Sequence, residues 1–465
     1  MKKHNRWAYP FYQPLFDEQG ILICRLVPTQ NTVRLWWKDA GAAEYEIYIK
    51  PSASENEFAL AGKTSACEYE ITDLESEVDY AFYVCAGNKK SAVRLARPGK
   101  VYGTVVNYLH PDDRAYGFSG QYLCSPCMLR HPDGFLLASM DVYQSNAPQN
   151  LSMIFRSDDD GKTWNHQTDL FPCFWPRMFL HRGVLYVLAC STEYGDLLIG
   201  ASYDGGLTFT EPTVLLRGSN GKNKQTGVHK NPQPVVEFEG RLYNTLEWGS
   251  WGAGYHAAMV MSADADADLL DADSWSFSAP LRYNESWEGV GKGKSNGTIE
   301  GCLAIGKDGK LYNVMRYDMT KLEPNYGLAL RYEVNTADPD APLRFDRAID
   351  FPANHSKFQV RYDEKSGFFF SIATRLTSPQ TNTHRTLLSL MVSEDMLNWR
   401  TVCDLFDERA ADPDGKKIGF QYVDFFFEGN DILYLCRTAM NNAHNFHDSN
   451  YITFHRIQDF RKLVE

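Results

Sequence analysis

Two eight-residue stretches, starting 45 residues apart, constrain this chain more than any other feature in it. Ser157-Asp-Asp159-Asp-Gly161-Lys-Thr163-Trp164 and Ser202-Tyr-Asp204-Gly-Gly206-Leu-Thr208-Phe209 share the pattern Ser-x-Asp-x-Gly-x-Thr-aromatic. Ser393-Glu-Asp395-Met-Leu-Asn-Trp399 is a weaker copy, one residue short and without the glycine. The pattern has the logic of a turn. The Asp side chain bonds backbone amides, Gly supplies a positive φ, and the aromatic packs beneath the hairpin. Such a turn carries structure and no chemistry. Its spacing suits one four-stranded propeller blade.

From about residue 105 to the end, short strands recur with little helical periodicity. Leu136-Leu-Ala-Ser139, Val184-Leu-Tyr-Val-Leu188, Leu311-Tyr-Asn-Val314 and Ile432-Leu-Tyr-Leu435 read as strands, several of them following Gly-containing turns. Many short strands mean a sandwich, barrel or propeller, and the repeated turn selects the propeller. The expected fold is all-β: a propeller of six blades, or seven, over 105–465, at roughly 50–60 residues per blade. A small β-sandwich over 20–98 is expected before it. There Val33, Leu35 and Trp37 alternate, as do Tyr45 and Ile47, and Ile71, Leu74, Tyr80, Phe82 and Val84 continue the pattern. This spacing resembles a fibronectin type III domain, read as a spacer without a binding role. Arg97-Pro98-Gly99 marks the boundary.

Charge and cysteine usage narrow the partners. The net charge of −12 argues against nucleic acid or an anionic membrane as partner. It leaves an acidic ligand open, because local arginines override the global sign. Met1-Lys2-Lys3 is followed by no apolar run of about 7–15 residues, so no secretory signal is expected. No stretch approaches about 18 apolar residues, so no membrane span is expected. The ten cysteines stand singly except Cys124 and Cys127, and they read as reduced thiols of a cytoplasmic protein. Cys124-x-x-Cys127 has no second pair, and His444 and His447 lack a partner motif. Neither a metal nor a cofactor is expected.

The repeated turn resembles the Asp box of sialidases and related propellers, and the resemblance extends over the whole second unit. It implies an exo-acting glycoside hydrolase that removes a terminal acidic sugar from an oligosaccharide. Sialidases carry a Glu, a strand, a turn, a returning strand and an Arg. Glu300 and Arg316 fit, at the outer ends of one hairpin and therefore on one rim. The resemblance makes Tyr422 the nucleophile, supported by Glu300, and gives Arg316 and Arg385 the task of holding the substrate carboxylate. Arg385 lies 37 residues before Tyr422, and Arg375 competes with it. One stretch departs from the family. Its propeller opens with Arg-Ile-Pro, whereas Cys124-Ser125-Pro126 stands here. After Asp141 no further Asp appears before Asn150, so the general acid is not assigned.

Other polar clusters offer to complete the site. His229 and Lys230 precede a strand, and His355 and Lys357 precede Phe358. Glu247, a further catalytic candidate, stands beside Trp248 and near Trp251, as in a sugar subsite. Gln421 and Asp424 flank Tyr422. Arg437 opens a run to Asn450 rich in hydrogen-bonding side chains, with Asn445 and His447 as candidate ligands. Two other functions compete with the hydrolase: a lyase acting on a uronate, and a carbohydrate-binding propeller without catalysis.

Overall fold

The computed structural model describes Trp7, residues 20–353 and residues 356–464. The reading of the first residues, Trp7 apart, and the candidate His355 lie outside the described residues. Six antiparallel sheets follow one another in chain order, over residues 122–170, 174–216, 227–282, 298–350, 361–407 and 419–457. Each is an up-and-down meander. In the first sheet the innermost position is split into Tyr122–Leu123 and Cys127–Arg130, and in the third into Gly227–His229 and Val236–Phe238. Pro126 in the first gap, and Pro232 and Pro234 in the second, explain the splits, because Pro cannot donate to a ladder.

Apolar side chains on facing sheets close these units into a ring. One cluster joins the first and second sheets through Leu137, Ile154, Met178 and Val187. Others join the second to the third, the third to the fourth, the fourth to the fifth and the fifth to the sixth. The last joins the sixth back to the first, with Leu433 and Ile452 against Met140 and Phe155. The fold is a β-propeller. Its ring is fastened by Thr104–Tyr108, which pairs antiparallel with Tyr451–Ile457 as the outermost strand of the sixth sheet. Both chain ends of the ring thus meet in one sheet, and an otherwise open edge is covered.

Before the ring, a three-stranded sheet and a five-stranded sheet lie over residues 23–96. Val33, Leu35, Trp37, Tyr45, Ile47, Phe82 and Val84 are all buried between them. Their cluster continues into the fifth and sixth sheets. Arg25 donates to the carbonyls of Val105 and Val106, and Arg94 meets Asp113 at 2.6 Å in a buried ion pair. The small unit therefore packs against the strand that closes the ring. Among the described residues, no helix is long and apolar enough to cross a membrane.

The repeated turns join the third and fourth strands of their sheets. Asp159 accepts from the Ser157 hydroxyl at 2.9 Å and from the Thr163 amide and hydroxyl at 2.8 and 2.7 Å. Asp204 repeats the set with Ser202 and Thr208. The weak copy uses the same device with different parts. Asp395 accepts from the amides of Leu397 and Asn398 and from the Asn398 side chain, while Met396 takes the left-handed conformation at φ 62°. Asn398 does the work of Thr, and Met396 holds the left-handed position that Asp160 holds in the first copy and Gly205 in the second. Replacing Asp159, Asp204 or Asp395 by Ala is expected to lower stability by about 1–3 kcal/mol each. The exposed Glu394→Ala should change it by less than about 0.5 kcal/mol. Urea-denaturation midpoints measure both.

Candidate active site

The connections between second and third strands, at residues 144–150, 191–196, 251–254, 318–327, 375–386 and 440–450, all lie at the end of the ring away from the Asp turns. Three innermost strands are bulged at this end. Their pairing slips between Phe174 and Arg177, between Ile299 and Cys302, and between Gln421 and Asp424. Inside these slips Trp175, Glu300 and Tyr422 sit at φ 54°, 60° and 54°. Left-handed backbone is costly for side chains of this size, and bulges re-aim the residues they contain. Here all three reach one pocket, whose wall also includes Tyr143, Glu193, His229, Trp251, Arg316, Arg385, Arg437 and His447.

The pocket is centred on an acidic and a phenolic group in contact. The Tyr422 hydroxyl donates to Glu300 Oε1 at 2.5 Å. Arg316 Nη1 donates to Glu300 Oε2 at 2.6 Å and lies 3.4 Å from the Tyr422 oxygen. Burial pushes the Glu300 carboxyl up, but Arg316 and the Tyr422 hydroxyl outweigh it and hold it below its ordinary value. Burial and the Glu300 charge together push the Tyr422 phenol well up, against the pull of Arg316, Arg385 and Arg437. In the resting site Glu300 is therefore the anion and Tyr422 the neutral donor.

Two more guanidinium groups flank the tyrosine. Arg385 and Arg437 lie 5.8 and 5.0 Å from the centre of its ring. Arg437 projects from the second strand of the sixth sheet, directly opposite Gln421. Its Nη1 donates to Cys124 Sγ at 2.9 Å and its Nη2 to the His447 carbonyl at 2.5 Å. The position expected of an opening arginine, filled here by Cys124, is thus approached by a guanidinium from the neighbouring sheet.

A second, more aromatic wall faces this group. His229 Nδ1 pairs with Glu247 Oε2 at 2.7 Å, and Glu247 Oε1 accepts from the Gly301 amide at 3.2 Å. Burial opposes a proton on His229, but Glu247 prevails and lifts its pKa. Trp175 packs on His229, and Trp251 on His256, at ring separations of 4.6 and 4.8 Å. The Tyr194 hydroxyl lies 3.2 Å from His256 Nε2. Glu193 is half-buried on the wall and accepts from Gln149 Nε2 at 3.2 Å. Burial raises its pKa, offset in part by His229 and Gln149.

The structure brings Tyr422, Glu300, Arg316, Arg385, Arg437, His229 and His447 together, and separates the other candidates from them. Glu247 is only 1% exposed and stands behind His229, which it orients. Trp248, one residue on, points to the opposite face of its strand and packs in the core between the second and third sheets. Arg375 is held by Asp404 at 2.8 Å and by Ser389, away from the pocket wall. Gln421 donates to the carbonyls of Phe446 and His447, so it fastens the 440–450 connection. Asn445 accepts from the amides of His447 and Asp448 within that connection. Lys230 and Asp424 are fully buried toward the axis of the ring. Asp141 is also fully buried, and burial lifts its pKa to about 8. The sequence reading missed Trp175, Glu193 and Tyr143 as pocket residues. Tyr143 ends the second strand of its sheet and Glu193 lies just beyond one, so an alignment of strand positions between blades would have marked both.

The sequence matches no family model and no curated protein. Solved structures do resemble it. An α-L-arabinanase of Penicillium chrysogenum, complexed with arabinobiose, superposes with a TM-score of 0.51 at 14% identity, over 77% of this chain and 98% of that one. The GH93 α-L-arabinofuranosidase of Fusarium graminearum gives 0.50 at 12% identity, over 78% and 99%. A leech intramolecular trans-sialidase gives 0.51 at 9% identity, over 96% and 92%. At such identities the likeness concerns the fold.

One consequence concerns Cys124, which lines the pocket. Burial pushes its thiol up to about 12, against the pull of Arg437. Only the thiolate reacts. Iodoacetamide at pH 8 is therefore expected to leave Cys124 unmodified in the folded protein and to label it in urea, as read by peptide mass spectrometry.

Proposed function

We propose that the protein is an exo-acting, sialidase-like glycoside hydrolase that removes a terminal acidic sugar from an oligosaccharide. The observation that carries this reading is the convergence of Arg316, Arg385 and Arg437 around the Tyr422–Glu300 pair. Three guanidinium groups in a mostly buried pocket suit a ligand carboxylate, which each can grip through paired N–H donors. A neutral tyrosine suits such a ligand as nucleophile, since a carboxylate nucleophile would be repelled.

In the proposed reaction the Tyr422 oxygen attacks the anomeric carbon and its proton passes to Glu300, 2.5 Å away. Glu193, whose pKa burial raises, gives its proton to the leaving glycosidic oxygen. Water then attacks the glycosyl–tyrosine bond, giving a proton to Glu193, while the departing phenolate recovers its proton from Glu300. The stereochemistry is retained, because two displacements occur at one carbon. The Trp175 and Trp251 faces receive the sugar rings. Residues 20–98 brace the closing strand and take no part in binding.

A second reading, elimination from a uronate, has one specific observation in its favour. His229, oriented by Glu247, faces the pocket as a proton acceptor for which hydrolysis has no need. Oligosaccharides capped with different acidic sugars decide between the two. New reducing ends without ultraviolet-absorbing unsaturated products support the hydrolase. Unsaturated products support the lyase, and binding without turnover overturns both.

On the hydrolase reading, Tyr422→Phe and Glu300→Gln are each expected to lower kcat by about 10²–10⁴-fold with KM little changed. The pH profile should be bell-shaped. Activity falls on the acid side as Glu300 takes a proton, at a pH depressed by Arg316. It falls on the alkaline side as Glu193 loses one, at a pH raised by burial. Glu193→Gln should remove the alkaline limb. A profile unchanged by that substitution would show that another group is the acid.

A further inference from the structure

Beneath the pocket, the buried side chains on and beside the innermost strands carry more positive than negative charge. Asp424 is the carboxylate at this level, and its strongest charged neighbours are Arg177, Lys357 and Arg361. Arg177 Nη1 also donates to the Pro232 carbonyl at 3.4 Å, two residues beyond Lys230, whose charge it opposes. Lys230, Lys357 and Asp424 are 0% exposed and Arg177 is 6% exposed. Arg177 Nη1 meets Asp424 at 2.7 Å, and Asp424 also accepts from the Met128 amide and from Gln359. That carboxylate is therefore filled. The next ones, Glu247 and Glu300, are engaged by His229 and the Gly301 amide, and by Arg316 and Tyr422, while Asp141 has Arg437 as its main opposite charge and burial lifts its pKa to about 8.

The cations are left over. Lys357 Nζ and Arg177 Nε have no hydrogen-bond partner among the described residues, and neither has Asn231 Nδ2. Lys230 Nζ reaches only the Asn231 carbonyl, at 3.4 Å. Burial lowers the pKa of both lysines, of Lys230 to about 8, and a buried ammonium short of hydrogen bonds and of negative charge costs several kcal/mol. Water supplies dipoles at such a place but no charge. The residues concerned come from different sheets: Arg177 from the second, Lys230 and Asn231 from the third, and Lys357 from the approach to the fifth.

We infer that the axis of the propeller holds a small monovalent inorganic anion, of the chloride class, between Lys230, Lys357 and Arg177. Its role is structural. It supplies the negative charge that the inner strands lack and lets their cations stay buried without side-chain partners. The inference does not depend on the reaction proposed above, since none of these three residues lines the catalytic pocket.

The full chain is exchanged into sodium gluconate, whose anion is too large for the site, and then titrated with sodium chloride or bromide at constant ionic strength. A saturable rise in Tm of about 2–4 °C is expected with either halide. Sodium sulfate at the same ionic strength should give none. Lys357→Met and Lys230→Met should each abolish the rise. Crystals grown in sodium bromide should show an anomalous peak on the axis within contact of Lys357 Nζ. The same Tm in chloride as in gluconate would overturn the inference. So would a halide effect that survives in both variants, or bromide found only on the surface. Should a variant fail to fold, the wild-type bromide crystal decides alone.

Discussion

Asp424 draws four of the six sheets to one point. It belongs to the sixth, accepts the Met128 amide of the first at 2.6 Å and the Arg177 guanidinium of the second at 2.7 Å, and also accepts from Gln359, which leads into the fifth. A ring of sheets packed face to face has no central core of its own, so its middle must be tied by polar contacts or filled. A carboxylate with four lone-pair directions can serve several sheets at once. Because it is fully buried, each of these contacts acts in a medium of low polarity, and losing one leaves a partner exposed to the full cost of burial.

The pocket follows from that tie. Asp424 stands two residues after Tyr422, across the bulge, so holding Asp424 on the axis sets where the left-handed Tyr422 must point. The same construction recurs in the second sheet, where Trp175 precedes Arg177 by two residues and Arg177 is the guanidinium that binds Asp424. One residue of each pair descends to the axis and the other rises to the pocket. Strained backbone at Trp175, Glu300 and Tyr422 is sustained by contacts below it, which is how a site keeps conformations that a free chain would leave.

Much of this was legible in the chain. The Asp turns identified the propeller, because a turn of fixed length needs Asp, Gly and an aromatic at fixed offsets whatever surrounds it. Even the degenerate copy at Ser393 makes the same bonds. Glu300 and Arg316 were placed together because a hairpin brings its ends to one rim. Other residues misled for equally local reasons. Glu247 and Trp248 are adjacent, and adjacent residues in a strand face opposite sides, so they could not share a pocket wall. Arg375 and Arg385 looked equivalent in sequence, yet Asp404, across the sheet from one of them, removes it from the site.

By itself, then, the sequence determined the strands, their turns and the hairpin that sets Glu300 beside Arg316, since each rests on contacts between residues close along the chain. Only the tertiary structure decided how far the site extends. Arg437 reaches Cys124 across 313 positions, and Tyr422 reaches Glu300 across 122. Ring closure brings the last sheet against the first, and no local pattern records which side chains will meet there. Arg437 was named from its polar loop without its place at the tyrosine, and Glu193 was not named at all, for that reason. Their neighbours are supplied by other blades, and the burial that gives Glu193 its raised pKa exists only when the ring is shut.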